Sequence, residues 1–427
     1  MQSIAVIGGG ITGVTTAYAL ARRGFSVTLF ERQRYAAMET SFANGGQLSA
    51  SNAEVWNHWS TVWKGMKWML RGDAPLLVNP RPGWHKLSWF AEFVANIGRY
   101  RENTVETTRL AIAAREHLFD WAQAEGIDFD LKREGILHIY RDKAGFDHAA
   151  QVSRLLAQGG LQRRAVTPEE MRAIEPTLAG SYYGGFFTES DSTGDIHKFT
   201  HGLAAAAQRL GVRILYGQDV AQLASDGHQA RVTVRAEGGR EQAQVFDGLV
   251  VCTGVASRAF AAQLGDRVNV YPVKGYSITV NLLDADSQAA APTVSLLDDE
   301  TKLVTSRLGT DRFRVAGTAE FNGVNRDIRA DRIRPLVDWV NQCFPGINTR
   351  QVVPWAGLRP MMPNLMPRVG AGRRANVFYN TGHGHLGWTL SAATAEMVAA
   401  QIDGARQRAG APFSGAAGAT GAAAASA

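Results

Sequence analysis

Cysteine is nearly absent: the 427 residues hold two, Cys252 and Cys343, far apart in the chain. A disulfide framework and a cysteine zinc cluster are therefore excluded, and a reducing compartment is expected. Proline is sparse too, fourteen residues against 45 glycines, and the glycines follow no fixed period, so the chain is not collagen-like. An excess of one charge is also lacking, because 45 Lys and Arg against 39 Asp and Glu leave a formal +6 spread along the chain. No basic block calls for nucleic acid, and none is expected as a partner. No apolar run approaches the roughly 20 residues that span a bilayer. The first apolar segment, residues 4–7, is too short for a signal-peptide core, so a cytoplasmic location is expected. What remains, 45% hydrophobic and 20% charged, is the composition of a chain that folds around a large core.

The order begins at once. Residues 3–7 read as a buried strand, 8–13 as a turn and 11–23 as a helix ended by Gly24; 26–30 then form a second strand with Glu31 at its tip. This is a β-α-β unit of the doubly wound kind. Further strands are expected at 212–216, 230–234, 249–252 and 377–379, and antiparallel ones at 276–280, 302–305 and 313–316. Residues 103–124 read as an amphipathic helix closed by Gly126. Thr167-Pro168-Glu169-Glu170 has the composition of a helix start.

The fingerprint Gly8-x-Gly10-x-x-Gly13 is weak alone, but here it follows a strand, opens a helix and precedes Glu31 by eighteen residues. Gly8 permits the turn, Gly10 lets backbone approach a pyrophosphate, and Gly13 lets helix and strand pack closely. The helix N-terminus offers amides to phosphate, and Glu31 would hold a ribose. Ile11 and Thr12 lie in that first turn and Arg32 follows the acid, so all three join the expected cofactor contacts. This motif leaves NAD and FAD both open.

Four later segments carry a resemblance. Glu39-Thr40-Ser41-x-x-Asn44-Gly45-Gly46-Gln47-Leu48-Ser49, Tyr271-Pro272-Val273-Lys274-Gly275-Tyr276-Ser277, Gly357-Leu358-Arg359-Pro360 and Thr381-Gly382-His383-Gly384-His385-Leu386-Gly387-Trp388-Thr389 occur in that order. Together they resemble the bacterial D-amino-acid dehydrogenases of the D-amino-acid-oxidase-like flavoprotein superfamily, from Met1 to about Ile402. Neither cysteine lies in a motif expected at a flavin, so attachment is expected to be noncovalent; the resemblance itself implies FAD. It implies an α/β fold in which a doubly wound, Rossmann-like FAD-binding domain (1–54, 150–265, 351–404) is interleaved with an α+β substrate domain (55–149, 266–350) containing an antiparallel sheet. Residues 410–427, mostly alanine, glycine and serine, are expected to form a tail outside the core.

The implied activity is oxidative deamination of a D-amino acid to a 2-oxo acid and ammonia, with electrons passed to a respiratory quinone or another acceptor. An oxidase or dehydrogenase of secondary amino acids, and a non-catalytic flavin-binding protein that docks on membranes, stand as alternatives. Small and amide residues at Ser41, Asn44, Gly45, Gly46, Gln47 and Leu48 suit a loop against a flavin edge. Gly382, His383, Gly384, Leu386, Gly387, Trp388 and Thr389 lead into an apolar helix, whose first amides and the Thr389 hydroxyl would face the flavin. Val220, Thr253 and Gly254 complete the expected cofactor wall. Arg359 is expected to grip the substrate carboxylate with paired hydrogen bonds. Tyr271, Tyr276 and His383 are expected beside it. His385 stands where the family usually carries a smaller hydroxyl residue, and Asn364-Leu365 replaces an acidic-glycine turn; both bear on substrate identity.

His383 and His385 lack partners at metal-ligand spacing, and no metal is expected. Six of ten tryptophans fall between Val55 and Trp89, and residues 55–70 read as an amphipathic helix with Lys64, Lys67 and nearby Arg71. That helix suits either a peripheral contact on the inner face of the cell membrane or the core of the substrate domain.

Overall fold

The computed structural model describes residues 2–68, 75–235 and 240–410. Of the expected tail, 411–427 lie outside the described residues, as do Met69, Leu70 and Arg71 of the tryptophan-rich segment.

A six-stranded sheet runs in the order Arg368–Ala371, Val377–Thr381, Gly248–Val251, Ser3–Ile7, Ser26–Phe30, Arg213–Leu215. All neighbours are parallel except the first pair. Its strands are apolar on both faces because both are covered, as a parallel sheet requires. Ile4, Val6, Val27, Leu29 and Val250 pack with helices Ile11–Ala21, Ile196–Arg209 and Gly387–Gly410. The alternate residues Ala5, Ile7, Phe30, Leu249 and Val251 pack with a three-stranded sheet, Asp219–Ser225, Ala230–Arg235 and Glu241–Phe246.

The second large sheet is mixed. Val352–Met361, Tyr271–Asn281, Arg312–Phe321, Leu303–Leu308 and Ser295–Asp298 run antiparallel in sequence, then Ile136–Tyr140 joins in parallel, followed by Gly184–Thr188 and Arg164–Val166. This redraws the expected division of the chain. Residues 352–361 hydrogen-bond to Tyr271–Asn281 over ten paired positions, so they belong with the mixed sheet and not with the dinucleotide fold. The strands at 164–166 and 184–188 do likewise. Several local expectations hold: Tyr100–Glu125 is a helix closed by Gly126 at φ 62°, and Thr167 and Glu170 form a reciprocal capping box. The tryptophan-rich helix starts later than expected, at Trp59, which frees Val55 and Trp56 for other contacts. Trp59 and Trp63 are more than half exposed, which is the opposite of a core position.

Candidate functional site

A cavity of about 720 Å³ opens at the C-terminal ends of the parallel strands and extends along the mixed sheet. Ile7, Phe30, Cys252 and Thr381 mark those strand ends on its wall, where the chain leaves Ser3–Ile7 toward Ser26–Phe30 on one side and leaves Gly248–Val251 toward Val377–Thr381 on the other. Ligands collect at such a switch point because loops part there. Gly8, at φ 104°, turns the chain out of the strand; a Cβ on it would lie 2.7 Å from the Cys252 carbonyl oxygen. Gly13 lines no part of the cavity and serves packing alone, since a Cβ there would come within 1.8 Å of the Gly8 oxygen. Helix Ile11–Ala21 begins beside Gly10, which has no side chain to cap it; the Ile11 amide donates instead to Ser41 Oγ at 3.0 Å. Gly10, Ile11 and Thr12 all face the cavity. The site thus presents positive helix-end character at glycine backbone that a ligand can approach closely, which fits a pyrophosphate.

Glu31 closes that end. Its Oε2 accepts the Gly9 amide at 2.6 Å and its Oε1 the Gln33 amide at 2.7 Å. Burial raises its pKa; the two amides and the Arg32 charge oppose this without cancelling it. Each oxygen retains a lone pair for a ribose hydroxyl. Arg32, Val220, Thr253 and Gly254 share this wall.

The loop at 39–49 joins the two sheets. The Thr40 hydroxyl donates to the Leu358 carbonyl at 2.8 Å, Ser277 to that of Ala43 at 3.1 Å, and Ser306 to that of Gly45 at 2.6 Å. Asn44 Oδ1 accepts the Gly46 amide, closing a turn in which Gly46 has φ 71°. Cβ atoms at Gly45 or Gly46 would strike Val304 or Ser306 at 2.5 and 2.8 Å, so only glycine lets the loop lie against the sheet. Gln47, 7% exposed, donates to Ser295 Oγ and the Leu296 carbonyl, and its Oε1 finds no protein partner. An unmet buried acceptor at the cavity wall fits a ligand with an N–H edge, as a flavin has. Leu48 instead points into the core.

On the opposite segment Gly382 and Gly384 adopt φ 77° and 60°, and the short turn Gly384–Leu386 enters helix Gly387–Gly410. Gly382, His383, Gly384, Gly387, Trp388 and Thr389 line the cavity, while Leu386 is core. Thr389 Oγ1 accepts the Ser49 amide at 3.3 Å and ties this segment to the other loop.

Arg359 enters from the mixed sheet. Its Nη1 donates to the Thr318 carbonyl at 2.7 Å and Nη2 to that of Gly317 at 3.3 Å. Among the described residues no carboxylate pairs with it, and burial lowers its pKa to about 10. Three of its five N–H groups remain for a ligand, with a full positive charge. His385 stacks on Trp56, ring centroids 4.6 Å apart, with Nε2 3.4 Å from the Asn52 carbonyl. Burial and the Arg359 charge pull its pKa down to about 4, so it is neutral at pH 7. His383 lies behind it in the chain with Nε2 2.9 Å from Thr394 Oγ1, its pKa lowered by burial to about 3.

Of the two expected tyrosines only Tyr276 lines this space, and its phenol is already engaged. Tyr276 is 1% exposed and donates to Glu320 Oε2 at 2.9 Å, in a buried cluster where Lys274 lies 3.5 Å from Glu320. Side chains alternate along a strand, so the Gly275 and Ser277 that flank it face the other way, toward Arg359 and the loop at 39–49. Tyr271 packs in an aromatic cluster with His85, Trp89 and Phe321 and lines no part of the cavity. Sequence reading missed Trp56, Thr318 and Glu54, which lie on the wall. Tyr100 donates to Glu54 at 2.6 Å. Only the tryptophan gave a signal, and it was read as part of a helix face.

Comparison with known proteins agrees with this geometry. Residues 3–401 match the family model for DAO, FAD dependent oxidoreductase. The chain is 65% identical to D-amino acid dehydrogenase 3 of Mesorhizobium japonicum, over 94% of this chain and 97% of that one. It is 40% identical to the D-amino acid dehydrogenase of Dechloromonas aromatica, over 96% and 99%. Among solved structures, glycine oxidase from Geobacillus kaustophilus superposes with a TM-score of 0.71 at 20% identity, covering 94% of this chain and 95% of that one. L-proline dehydrogenase from P. horikoshii gives 0.70 at 17%, covering 94% and 93%. With its glycine turn at a helix start, an acid at the tip of the second strand and a family match that runs nearly end to end, this chain belongs to the DAO family of FAD-dependent oxidoreductases.

Proposed function

We propose that the chain oxidises D-amino acids to 2-oxo acids and ammonia, with Arg359 as the carboxylate anchor. One observation carries this reading: a guanidinium on the cavity wall held by two neutral carbonyls, with no acidic partner among the described residues. A site built around an unneutralised, preoriented guanidinium favours a carboxylate ligand. The names of the relatives at 65% and 40% identity support the amino-acid class and the D configuration. FAD would be held by residues 8–12, Glu31, the 39–49 loop and Gly382–Thr389 and would supply the hydride acceptor. Arg359 orients the substrate, and neutral His385 adds no positive charge of its own beside it. Desolvation in the cavity favours the neutral amine, so no dedicated side-chain base is required. Water then hydrolyses the imino acid. Noncovalent attachment is supported by Cys252, whose burial pushes its thiol up to about 12, away from nucleophilic thiolate.

Anaerobic mixing of the oxidised holoenzyme with a panel of D-, L- and N-methyl amino acids tests the reading. Bleaching of the flavin bands is expected with primary D-amino acids. Bleaching by N-methyl or cyclic amino acids alone would move the assignment to secondary amines, and none at all would make the chain a binder.

For the acceptor, the reading extends to a quinone reached by peripheral contact with the inner face of the cell membrane. No described helix is long and apolar enough to cross a membrane. Trp59, Trp63 and Trp84 are 54%, 62% and 83% exposed, and tryptophan suits the headgroup region. Trp59→Ala with Trp63→Ala is expected to weaken binding to anionic liposomes and quinone-linked turnover while leaving dye-linked activity and Tm close to unchanged. Equal loss of both activities would remove the membrane role.

A further inference from the structure

Arg359 sits on strand Val352–Met361 opposite Val273, so its side chain shares a sheet face with the residue two places on, Gly275. The three atoms nearest to a Cβ built on Gly275 all belong to the Arg359 guanidinium, at 2.3 to 2.4 Å. Glycine therefore leaves the floor on which the guanidinium rests. On the other side, strand Tyr271–Asn281 pairs with Arg312–Phe321, and the register breaks at this same residue: Lys274 pairs with Glu320 and Tyr276 with Gly317. Thr318 and Ala319 thus face the single Gly275, which is a β-bulge. Thr318 adopts φ 59°, a conformation that β-branched residues rarely take. The bulge turns two successive carbonyls, those of Gly317 and Thr318, onto the guanidinium. Strained backbone of this kind persists where its surroundings over-determine it, and here it lies on the cavity wall.

We propose that Gly275 and the Gly317–Thr318 bulge form a preformed guanidinium cradle that aims the free N–H groups of Arg359 into the cavity and so sets the affinity for carboxylate. This rests on the reading of Arg359 as the substrate anchor. The cradle's acceptors are neutral. An acidic partner would hold the arginine as firmly but would compete with the substrate for its charge; two carbonyls hold it and leave the charge intact. Gly275 and Thr318 are positioning residues, since they act through Arg359.

Chemical rescue tests the cradle in the FAD-loaded enzyme. With D-alanine as substrate, Arg359→Ala is expected to lose activity and to recover part of it on addition of guanidinium chloride, because the floor and both carbonyls remain. In the double variant Arg359→Ala, Gly275→Ala the clashing side chain is gone, so the added methyl group has room and the protein folds. Its methyl group fills the floor, and rescue is expected to disappear while the flavin spectrum stays that of the single variant. Gly275→Ala alone is expected to lower kcat/KM and acetate affinity roughly tenfold to a hundredfold, the scale of misplacing a positioning group by about 1 Å. Equal rescue of both variants, or of neither, overturns the cradle. Wild-type kcat/KM in Arg359→Ala before any guanidinium is added overturns instead the reading on which it rests.

Discussion

Arg359→Ala is expected to lower kcat/KM for D-amino acids by about 2–5 kcal/mol, a factor of roughly 30 to several thousand, while FAD stays bound. The size follows from desolvation. The guanidinium lies where burial already lowers its pKa to about 10, and its contacts are two carbonyls instead of a carboxylate. A substrate carboxylate in the same cavity pairs with a charge that water screens poorly, so removing one partner strands the other. The substitution also frees the carbonyls of Gly317 and Thr318, which costs stability of the order of 1–3 kcal/mol if water cannot reach them. Tm and the flavin spectrum of the variant therefore have to be measured beside its kinetics. Arg359→Lys is expected to restore little, because an ammonium is a point charge and cannot meet both carbonyls and a carboxylate edge in one plane. Turnover unchanged in the alanine variant would remove Arg359 from the site and with it the D-amino-acid reading of the pocket.

What could be read in the sequence follows from how local each feature is. Gly8, Gly10, Gly13 and Glu31 could be placed because strand, turn, helix and second strand succeed one another without interruption. Arg359 was legible only through the motif around it; the residues that hold it were not. Gly275, Gly317 and Thr318 meet Arg359 through pairing of three strands drawn from separate parts of the chain, and no periodicity announces a bulge or a threonine at positive φ. Register likewise decided the tyrosines. A phenol in the motif at 271–277 looks equally suited to cover a substrate or to fill a core, and alternation along the strand carries Tyr276 to the side of Glu320 and Lys274. Residues 352–361 were expected with the FAD-binding domain for the same reason: their apolar and polar residues fit either sheet, and only the pairing with Tyr271–Asn281 settles the matter. Trp56 was masked by helical spacing that begins three residues after it.

Two glycines three positions apart are expected to fail in different ways when each becomes alanine. At Gly13 a Cβ would stand 1.8 Å from the Gly8 oxygen and 2.9 Å from its carbon. Both are backbone atoms of the strand-to-helix turn, so no side-chain rotation relieves the clash and the helix must lift from the sheet. Overpacking of this kind costs about 1–3 kcal/mol or more, and here it opens the helix end that faces the phosphates. Gly13→Ala should lower the apo-protein Tm and abolish FAD uptake together. Gly10 is different. Its backbone, φ −74° and ψ 179°, suits any residue, and the nearest atom to a Cβ is Ser41 Oγ at 3.5 Å, an ordinary contact. Gly10→Ala should leave the apo-protein as stable as the wild type, or firmer by about 0.4–1 kcal/mol through a stiffer unfolded chain. Yet Gly10 lines the cavity beside the helix end, where backbone must approach the pyrophosphate. Its FAD affinity should therefore fall, by roughly 5- to 150-fold if the overpacking is of the same 1–3 kcal/mol scale. Thermal melts of the apo-proteins and FAD titration separate the two outcomes. Wild-type FAD affinity in Gly10→Ala would place the pyrophosphate elsewhere in the cavity, and an unshifted Tm in Gly13→Ala would mean the turn yields where its backbone contacts leave no space.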